Sequence, residues 1–298
     1  MKTTRRIMIL AALLLVAVAT QSFAQGLLGL LAPKSPILLG TTGACKNAFP
    51  GGPCTQTSTL VQIDPLTGAL IKTIGPVGFT VNGLAYDGIF GKLYASTAIG
   101  DVRFHGLITI DTKTGAGTPV NPAAPNFGLA GDPSPIHGIT IDILGRMVGW
   151  YDEFPPPIGI TDTFVQINKR TGVATEFKNT GIDTGNNGLA FSNFNILYNI
   201  DTTRTQPDGT ITQTAYIINP RDGKPFCFKF LSPPTPAALG DFNPDNDLYY
   251  GLNFDPTQPG AFKTSIVVVD LRAGTVTPLG PTVPDLHVIT FVKTIKFF

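Results

Sequence analysis

The chain is poor in the residues that carry most enzymatic chemistry. Its 298 residues include only three histidines, three cysteines, one tryptophan and two glutamates, Glu153 and Glu176. The cysteines show no CxxC pair, no CxxCH haem-attachment motif and no zinc-finger spacing. There is also no P-loop, no GxGxxG motif opening a helix and no serine-nucleophile motif. These absences argue against many familiar enzyme classes.

Charge and helical periodicity are also scarce. The 21 basic residues nearly balance the 20 acidic ones, and a chain this close to neutral has no global field to attract nucleic acid or an anionic membrane. No stretch shows long helical periodicity. The 33 glycines and 26 prolines instead fit many short strands joined by tight turns. We therefore expect an all-β monomer that does not bind nucleic acid.

The first 24 residues have the pattern of a secretory signal peptide. A basic start with Lys2, Arg5 and Arg6 precedes the 13-residue apolar or small run Ile7–Ala19, and Ser22–Ala24 supplies a cleavage site. The run is too short for an ordinary membrane span, and no second one follows. We predict cleavage near Ala24, a lead-in over 25–35, a single domain over 36–298 and a secreted or periplasmic location.

The cysteines add one further expectation. Cys45 and Cys54 are separated by eight residues rich in glycine and proline. In an oxidising compartment such a pair is typical of a disulfide that closes one loop. Cys227 lies in an alternating strand pattern and is expected to be a lone thiol.

What the chain does have is one phrase repeated five times: alternating apolar residues, then Asp or Asn, then a turn closing on Gly. Its copies start at residues 60, 107, 164, 215 and 265, which lie 47, 57, 51 and 50 residues apart. A period near 50 with short strands is typical of a propeller or solenoid. Asp or Asn before the turn accepts hydrogen bonds from the turn backbone, and the closing Gly tolerates positive φ. We therefore interpret Asp64, Asp111, Asn168, Asn219 and Asp270 as turn formers.

The segments around each phrase repeat as well and predict four antiparallel strands per unit, which we call A to D from the inside out. The first unit lacks strand A, because the chain enters it at strand B near Ile37. After the fifth phrase the chain supplies one more A-like strand, His287–Phe291. Inserting that strand into the first unit closes a ring and removes an exposed edge. Five blades are predicted, and six stay open if 25–36 or 293–298 contribute another strand.

These motifs resemble a known group of proteins. An Asp-Pro-x-Thr-Gly turn such as Asp64–Gly68, followed by Asn82–Asp87 (NGLAYD) and Gly91–Ala95 (GKLYA), looks like the secreted bacterial β-propellers of the YVTN and quinoprotein-amine-dehydrogenase-like superfamily. The similarity covers nearly all of 36–292. Its motifs are structural, so it implies the fold and no particular activity.

Antiparallel order places the starts of the A strands and the long B–C loops on one face, which we call the loop face; binding usually resides in such loops. Aligned A strands begin with Asn82, His137, Asn187, Ala238 and His287, which would converge on the rim of the central channel. His105 lies in a B–C loop on the same face. Imidazoles and amides can hold a divalent metal, a carboxylate or a sugar hydroxyl. The alternative is that these side chains only fill the channel and form hydrogen bonds with neighbouring backbone and ordered water. His137 and His287 are the metal candidates, and no other cofactor is expected.

Acidic residues near the rim give a second set of candidates. Asp152 and Glu153 follow Trp150 and Tyr151, an aromatic and acidic cluster typical of saccharide sites, and Asp101 lies in another loop of the same face. Solvated loop charges are the competing interpretation. Glycoside cleavage needs two carboxylates facing each other across the substrate, which leaves Glu153 with an aspartate partner such as Asp101 or Asp201.

Three functions compete on these observations. The first is a non-catalytic exported propeller that binds a saccharide or a protein through the loop face and channel mouth. The second is a hydrolase of the glycosidase or lactonase type, metal-assisted or carboxylate-dependent, at the same face. A quinone-dependent dehydrogenase ranks third, because such blades are rich in tryptophan and Trp150 stands alone.

Overall fold

The fold is described from a computed structural model. It describes residues 36–43, 56–98, 101, 103–123, 125–129, 136–151, 162–182, 188–201, 203–255 and 263–293. The predicted signal peptide, the lead-in and the predicted Cys45–Cys54 disulfide lie outside these residues and stay predictions. Cys227 is described and is an exposed free thiol.

Most strands of the described residues belong to five antiparallel four-stranded sheets. Blade 1 contains β22 (Leu286–Phe291), β1 (Leu38–Thr42), β2 (Thr59–Ile63) and β3 (Leu70–Pro76). Blade 2 contains β4 (Val81–Asp87), β5 (Lys92–Thr97), β6 (Leu107–Ile110) and β7 (Gly117–Pro119). Blade 3 contains β8 (Ile136–Ile141), β9 (Met147–Tyr151), β10 (Thr163–Ile167) and β11 (Ala174–Asn179).

The last two blades follow the same order. Blade 4 contains β12 (Gly188–Phe191), β13 (Leu197–Ile200), β16 (Thr214–Ile218) and β17 (Pro225–Phe230). Blade 5 contains β18 (Ala238–Phe242), β19 (Tyr249–Asp255), β20 (Lys263–Asp270) and β21 (Thr275–Pro281). The described loops contain two further small elements. They are the hairpin of β14 (Arg204–Thr205) with β15 (Ile211–Thr212) and the 3-10 turn Pro125–Gly128.

The C-terminal strand closes the ring as predicted. Strand β22 pairs antiparallel with β1, with Gly40 opposite Ile289 and Leu38 opposite Phe291. The inner strands follow one another around the axis in the order β4, β8, β12, β18, β22 and back to β4. The five-bladed β-propeller is therefore confirmed, and the six-bladed alternative is wrong.

The repeated turns also have the predicted chemistry. In each blade the side chain of the Asp or Asn accepts a hydrogen bond from the backbone N–H two residues later, at 2.7–3.0 Å. The closing glycines have φ between 70° and 83°, which side chains other than glycine adopt at a cost. One sequence phrase thus builds the same turn five times.

Apolar side chains fill the spaces between blades. Between blades 3 and 4, for example, Trp150 and Phe164 pack on Leu189 and Leu197, and all four are at most 3% exposed. Burying a side chain of this size stabilises the fold by roughly 2–3 kcal/mol. Adjacent blades are therefore held together by buried apolar side chains.

No helix among the described residues is long and apolar enough to cross a membrane.

Candidate functional site

Three of the predicted rim residues meet at the channel mouth. Asn82, His137 and His287 lie near the starts of the inner strands β4, β8 and β22. The Asn82 Nδ2 atom is 2.8 Å from Nδ1 of His137, and its Oδ1 atom is 3.1 Å from Nε2 of His287. The amide of Asn82 therefore bridges the two imidazoles, and we call the three residues the mouth triad.

A glycine next to the triad allows this approach. A Cβ atom on Gly83 would lie 2.5 Å from the carbonyl oxygen of His137, which is closer than real side chains tolerate. The backbones of β4 and β8 can therefore come together at the mouth only because residue 83 lacks a side chain. That contact sets His137 beside Asn82.

Hydrogen bonding and burial keep both imidazoles neutral. With the Asn82 amide donating to Nδ1 of His137, that ring carries its proton on Nε2. His287 in turn donates from Nε2 to Asn82 Oδ1. Burial lowers the pKa of His137 to about 4, with a further contribution from the neighbouring His287. Burial alone lowers the pKa of His287 to about 4. At neutral pH the triad therefore offers uncharged donors and acceptors.

Aromatic rings lie close to these polar groups. The ring of Phe254 packs against His287 with centroids 5.9 Å apart. Phe79 and Phe104 meet edge to face at 6.2 Å. All three phenylalanines are partly buried against the apolar cluster that includes Val81 and Val288, which flank the triad in sequence. No sequence signal distinguishes these three from the other phenylalanines, because the chain contains 20 of them.

The metal prediction is not decided by these contacts. Within the described ranges, no group of three or more His, Cys, Asp or Glu side chains is arranged to hold a metal ion. Zinc sites usually draw on three or four such side chains. His137 and His287 stay metal candidates by prediction only.

The other rim candidates have different fates. His105 pairs through Nδ1 with Oδ1 of Asn126 at 2.6 Å and packs edge to face on Phe127. Ala238 begins β18 without a polar group. Asn187, Asp152 and Glu153 lie outside the described residues, so their roles stay predictions.

Asp101 is tied into the loops. Its Oδ1 accepts from the backbone N–H and Nε of Arg103 at 2.9 and 2.8 Å, and its Oδ2 accepts from Thr80 N and a terminal guanidinium nitrogen of Arg103 at 2.6 and 2.9 Å. The side chain is fully buried. Both oxygens are thus occupied, which leaves Asp101 a poor catalytic acid or base.

Asp201 repeats this arrangement in blade 4, where its Oδ2 accepts from Nε of Arg204 at 2.8 Å. The Asp-x-Arg and Asp-x-x-Arg spacings were visible in the sequence and could have identified both aspartates as ion-paired. They serve to hold the B–C loops in place.

Trp150 lies in the core and not on the loop face. Its side chain is fully buried and meets Phe164 edge to face at 6.2 Å. The sequence placed it in a surface cluster with Asp152 and Glu153, because it closely precedes them. Alternation along β9 turns it toward the next blade instead.

Comparison with known proteins finds only distant structural matches. No family profile matches the sequence, and no curated protein matches it. Among solved structures, TolB from Acinetobacter baumannii is 14% identical with a TM-score of 0.47; the match covers 84% of this chain and 54% of the TolB chain. A gluconolactonase from Xanthomonas campestris is 15% identical with a TM-score of 0.45, covering 84% of this chain and 78% of its own.

A third match, the Dos1 propeller, is 11% identical with a TM-score of 0.38 and covers 78% of this chain and 67% of its own. The chain spans about half the length of the TolB chain that it matches. At these identities and TM-scores we draw no conclusion about this chain from the matches.

Proposed function

We propose that the protein is an exported binding propeller that holds a neutral, hydroxyl-rich ligand of the saccharide class at its channel mouth. The observation that carries this proposal is the mouth triad, in which one amide bridges two imidazoles that are neutral at physiological pH. Uncharged donors and acceptors suit hydroxyl groups better than they suit anions or cations.

The surroundings of the triad support the same ligand class. Sugar rings present an apolar face and a polar edge. Phe254 beside His287 offers an aromatic surface next to hydrogen-bonding groups. Export is supported by the signal-peptide pattern of the first 24 residues.

Titration calorimetry with a panel of neutral saccharides tests the proposal. We expect at least one member to bind the wild type saturably, and we expect Asn82→Ala and His287→Gln each to weaken that binding at least tenfold, since each removes a hydrogen bond in a mostly buried site. Asn193→Ala is the matched control, because it removes an amide bonded to the Asn243 carbonyl on the opposite face. Equal affinity in all four proteins would refute the mouth triad as the site.

Hydrolysis at the same face is the second candidate, and Glu153 is the residue on which it depends. Asp101 and Asp201 are both engaged by arginines, so a carboxylate pair would need another partner from the loops. Assay of the same saccharides for hydrolysis separates the two functions. A hydrolase predicts turnover that Glu153→Gln abolishes, whereas a binding protein predicts no turnover in either protein.

A further inference from the structure

A groove of about 220 Å³ lies between blades 3 and 4, on the side of the molecule that carries the A–B and C–D turns. We call this side the turn face; it is opposite the loop face. Val148 and Phe191, both buried, line the apolar part of the groove, and Arg146, Gln166 and Arg221 contribute its polar part. The groove is smaller than pockets for drug-sized ligands.

The internal repeat shows why the groove exists. Between blades 2 and 3, Lys169 of the C–D turn reaches across to Asp87 of the neighbouring A–B turn and forms an ion pair with it. Between blades 3 and 4 the equivalent of Lys169 is Pro220, which stands directly after the turn-forming Asn219 as Lys169 stands after Asn168. Proline cannot span the gap, so the space that the lysine occupies in one interface is open in the next.

Arg146 is held in position at the edge of this space. The equivalent of Asp87 is Asp142, whose Oδ1 accepts from the backbone N–H groups of Leu144 and Arg146 at 3.0 and 2.7 Å. Its Oδ2 accepts from Nε of Arg146 at 2.6 Å. The buried carboxylate thus fixes the guanidinium through Nε, and its two terminal nitrogens have no hydrogen-bond acceptor among the residues that the structure describes.

Arg221 supplies a second guanidinium from the next blade. Its counterpart in blade 5, Arg272, stacks on the Phe194 ring at 5.5 Å. Within the described part of the chain, the side chain of Arg221 has no such partner, while its backbone N–H is held by Asn219 Oδ1 at 3.0 Å. The turn that carries it is therefore fixed, and its guanidinium forms no ion pair with any residue that the structure describes.

The charges in the groove select the ligand. Asp142 balances Arg146, so Arg221 gives the groove a surplus of one positive charge. We propose that the groove binds a small organic monocarboxylate, with its carboxylate between Arg146 and Arg221 and its apolar body against Val148 and Phe191. Guanidinium groups match planar carboxylates in geometry. This site is separate from the mouth triad.

Benzoate is the probe for the first experiment. We expect titration calorimetry to show saturable binding with a dissociation constant on the order of 1 mM, because the ligand is small and the groove partly open. Benzyl alcohol, which has the same ring without the charge, should bind at least tenfold more weakly. No saturable binding of benzoate, or equal binding of the two compounds, would overturn the proposal.

Three variants locate the site. Arg221→Gln should weaken benzoate binding at least tenfold. Pro220→Lys should abolish benzoate binding, because a lysine there would fill the groove as Lys169 fills the equivalent space between blades 2 and 3. Arg170→Gln removes the equivalent arginine of blade 3 outside the groove and should leave binding unchanged. Arg221 is exposed, so Arg221→Gln should fold normally, which a circular-dichroism melt verifies. Full benzoate affinity in that folded variant would overturn the proposal.

One further variant separates this site from the channel mouth. Asn82→Ala should leave benzoate binding unchanged, since the mouth triad lies on the other face. Loss of benzoate binding in a folded Asn82→Ala protein would place the carboxylate at the mouth and overturn the groove assignment. Failure of the saccharide experiment, by contrast, leaves the benzoate result unaffected.

Discussion

The two ends of the central channel use opposite chemistry. At the mouth, Asn82 bridges His137 and His287 through uncharged hydrogen bonds. At the turn face, Asp241 in β18 accepts from Thr290 Oγ1 at 2.9 Å, from Phe291 N at 3.0 Å and from Lys293 Nζ at 2.6 Å.

The difference distinguishes an end that holds the fold closed from the end at which we propose ligand binding. The charged end joins blade 5 to the strand that closes the ring, and Lys293 also reaches the carbonyl of Phe191 in blade 4. A buried ion pair with several hydrogen bonds is costly to disrupt and suits a permanent closure. The neutral end holds polar groups that a ligand can engage without desolvating a charge.

The largest expected effect comes from breaking the charged end. Asp241→Ala should lower the free energy of unfolding by about 3 kcal/mol. Lys293 loses its carboxylate partner, and Thr290 and the backbone N–H groups of Phe242 and Phe291 lose their acceptor. Urea denaturation measures this loss. Asp245→Ala, an exposed aspartate of the nearby A–B turn, is the control and should change stability little. A loss below about 1 kcal/mol for Asp241→Ala would remove the distinction between the two ends.

Acid should weaken the neutral end. Both histidines have a pKa near 4 when folded and 6.5 when unfolded, so the unfolded chain binds more protons between those values. The contribution of the two histidines to stability is then constant above about pH 6.5. Between about pH 6.5 and pH 4, each histidine lowers the free energy of unfolding by up to about 1.4 kcal/mol for every unit that the pH decreases. Below about pH 4 the contribution is constant again.

Comparison with the double variant His137→Gln/His287→Gln isolates this contribution from that of the carboxylates. The wild type should lose more stability than the variant between pH 7 and pH 5 in urea titrations. Parallel stability curves for the two proteins would contradict the assignment of the two half-buried imidazoles as neutral.

Placing a charge in the triad sharpens the comparison further. Asn82→Asp puts a carboxylate between the two imidazoles, which favours their protonated forms. We expect the pKa values, followed by NMR titration of the labelled rings, to rise from about 4 by roughly 1–3 units. His105, which pairs with Asn126, is an internal reference. Unchanged titration of His137 and His287 would show that the bridging geometry is incorrect.

The smallest change in stability is expected at a buried polar side chain that, unlike those at the two channel ends, has no hydrogen-bond partner among the described residues. Asn199 in β13 is fully buried, and its amide atoms have no hydrogen-bond partner among the described residues. By strand register its counterpart in blade 2 is Ala95. Asn199→Ala should stabilise the protein by about 0.5–1 kcal/mol, because an unpaired buried amide is unfavourable. A destabilised variant would indicate that the amide is satisfied by water or loop atoms.

The rim of the channel shows how far the sequence could predict the site. Alignment of the inner strands placed Asn82, His137 and His287 on one rim, because each occupies the same register in its repeat. It could not show that one amide bridges both rings, since that depends on the close approach of β4 to β8 over Gly83. The prediction that Trp150 lies at the loop face was wrong. Its neighbours in sequence are loop residues, but its register in β9 directs the side chain into the core.

The sequence by itself determined the repeat, the turn chemistry and the closure of the ring by the last strand, because these follow from local hydrogen bonding and from strand order. Only the tertiary structure decided which polar residues are neutral, which are ion-paired and where space is left. Asp101 is ion-paired with Arg103. The groove exists because Pro220 stands at the position where the preceding interface has Lys169, which pairs with Asp87. Burial, charge pairing and empty volume are properties of neighbouring blades together, so no single repeat encodes them.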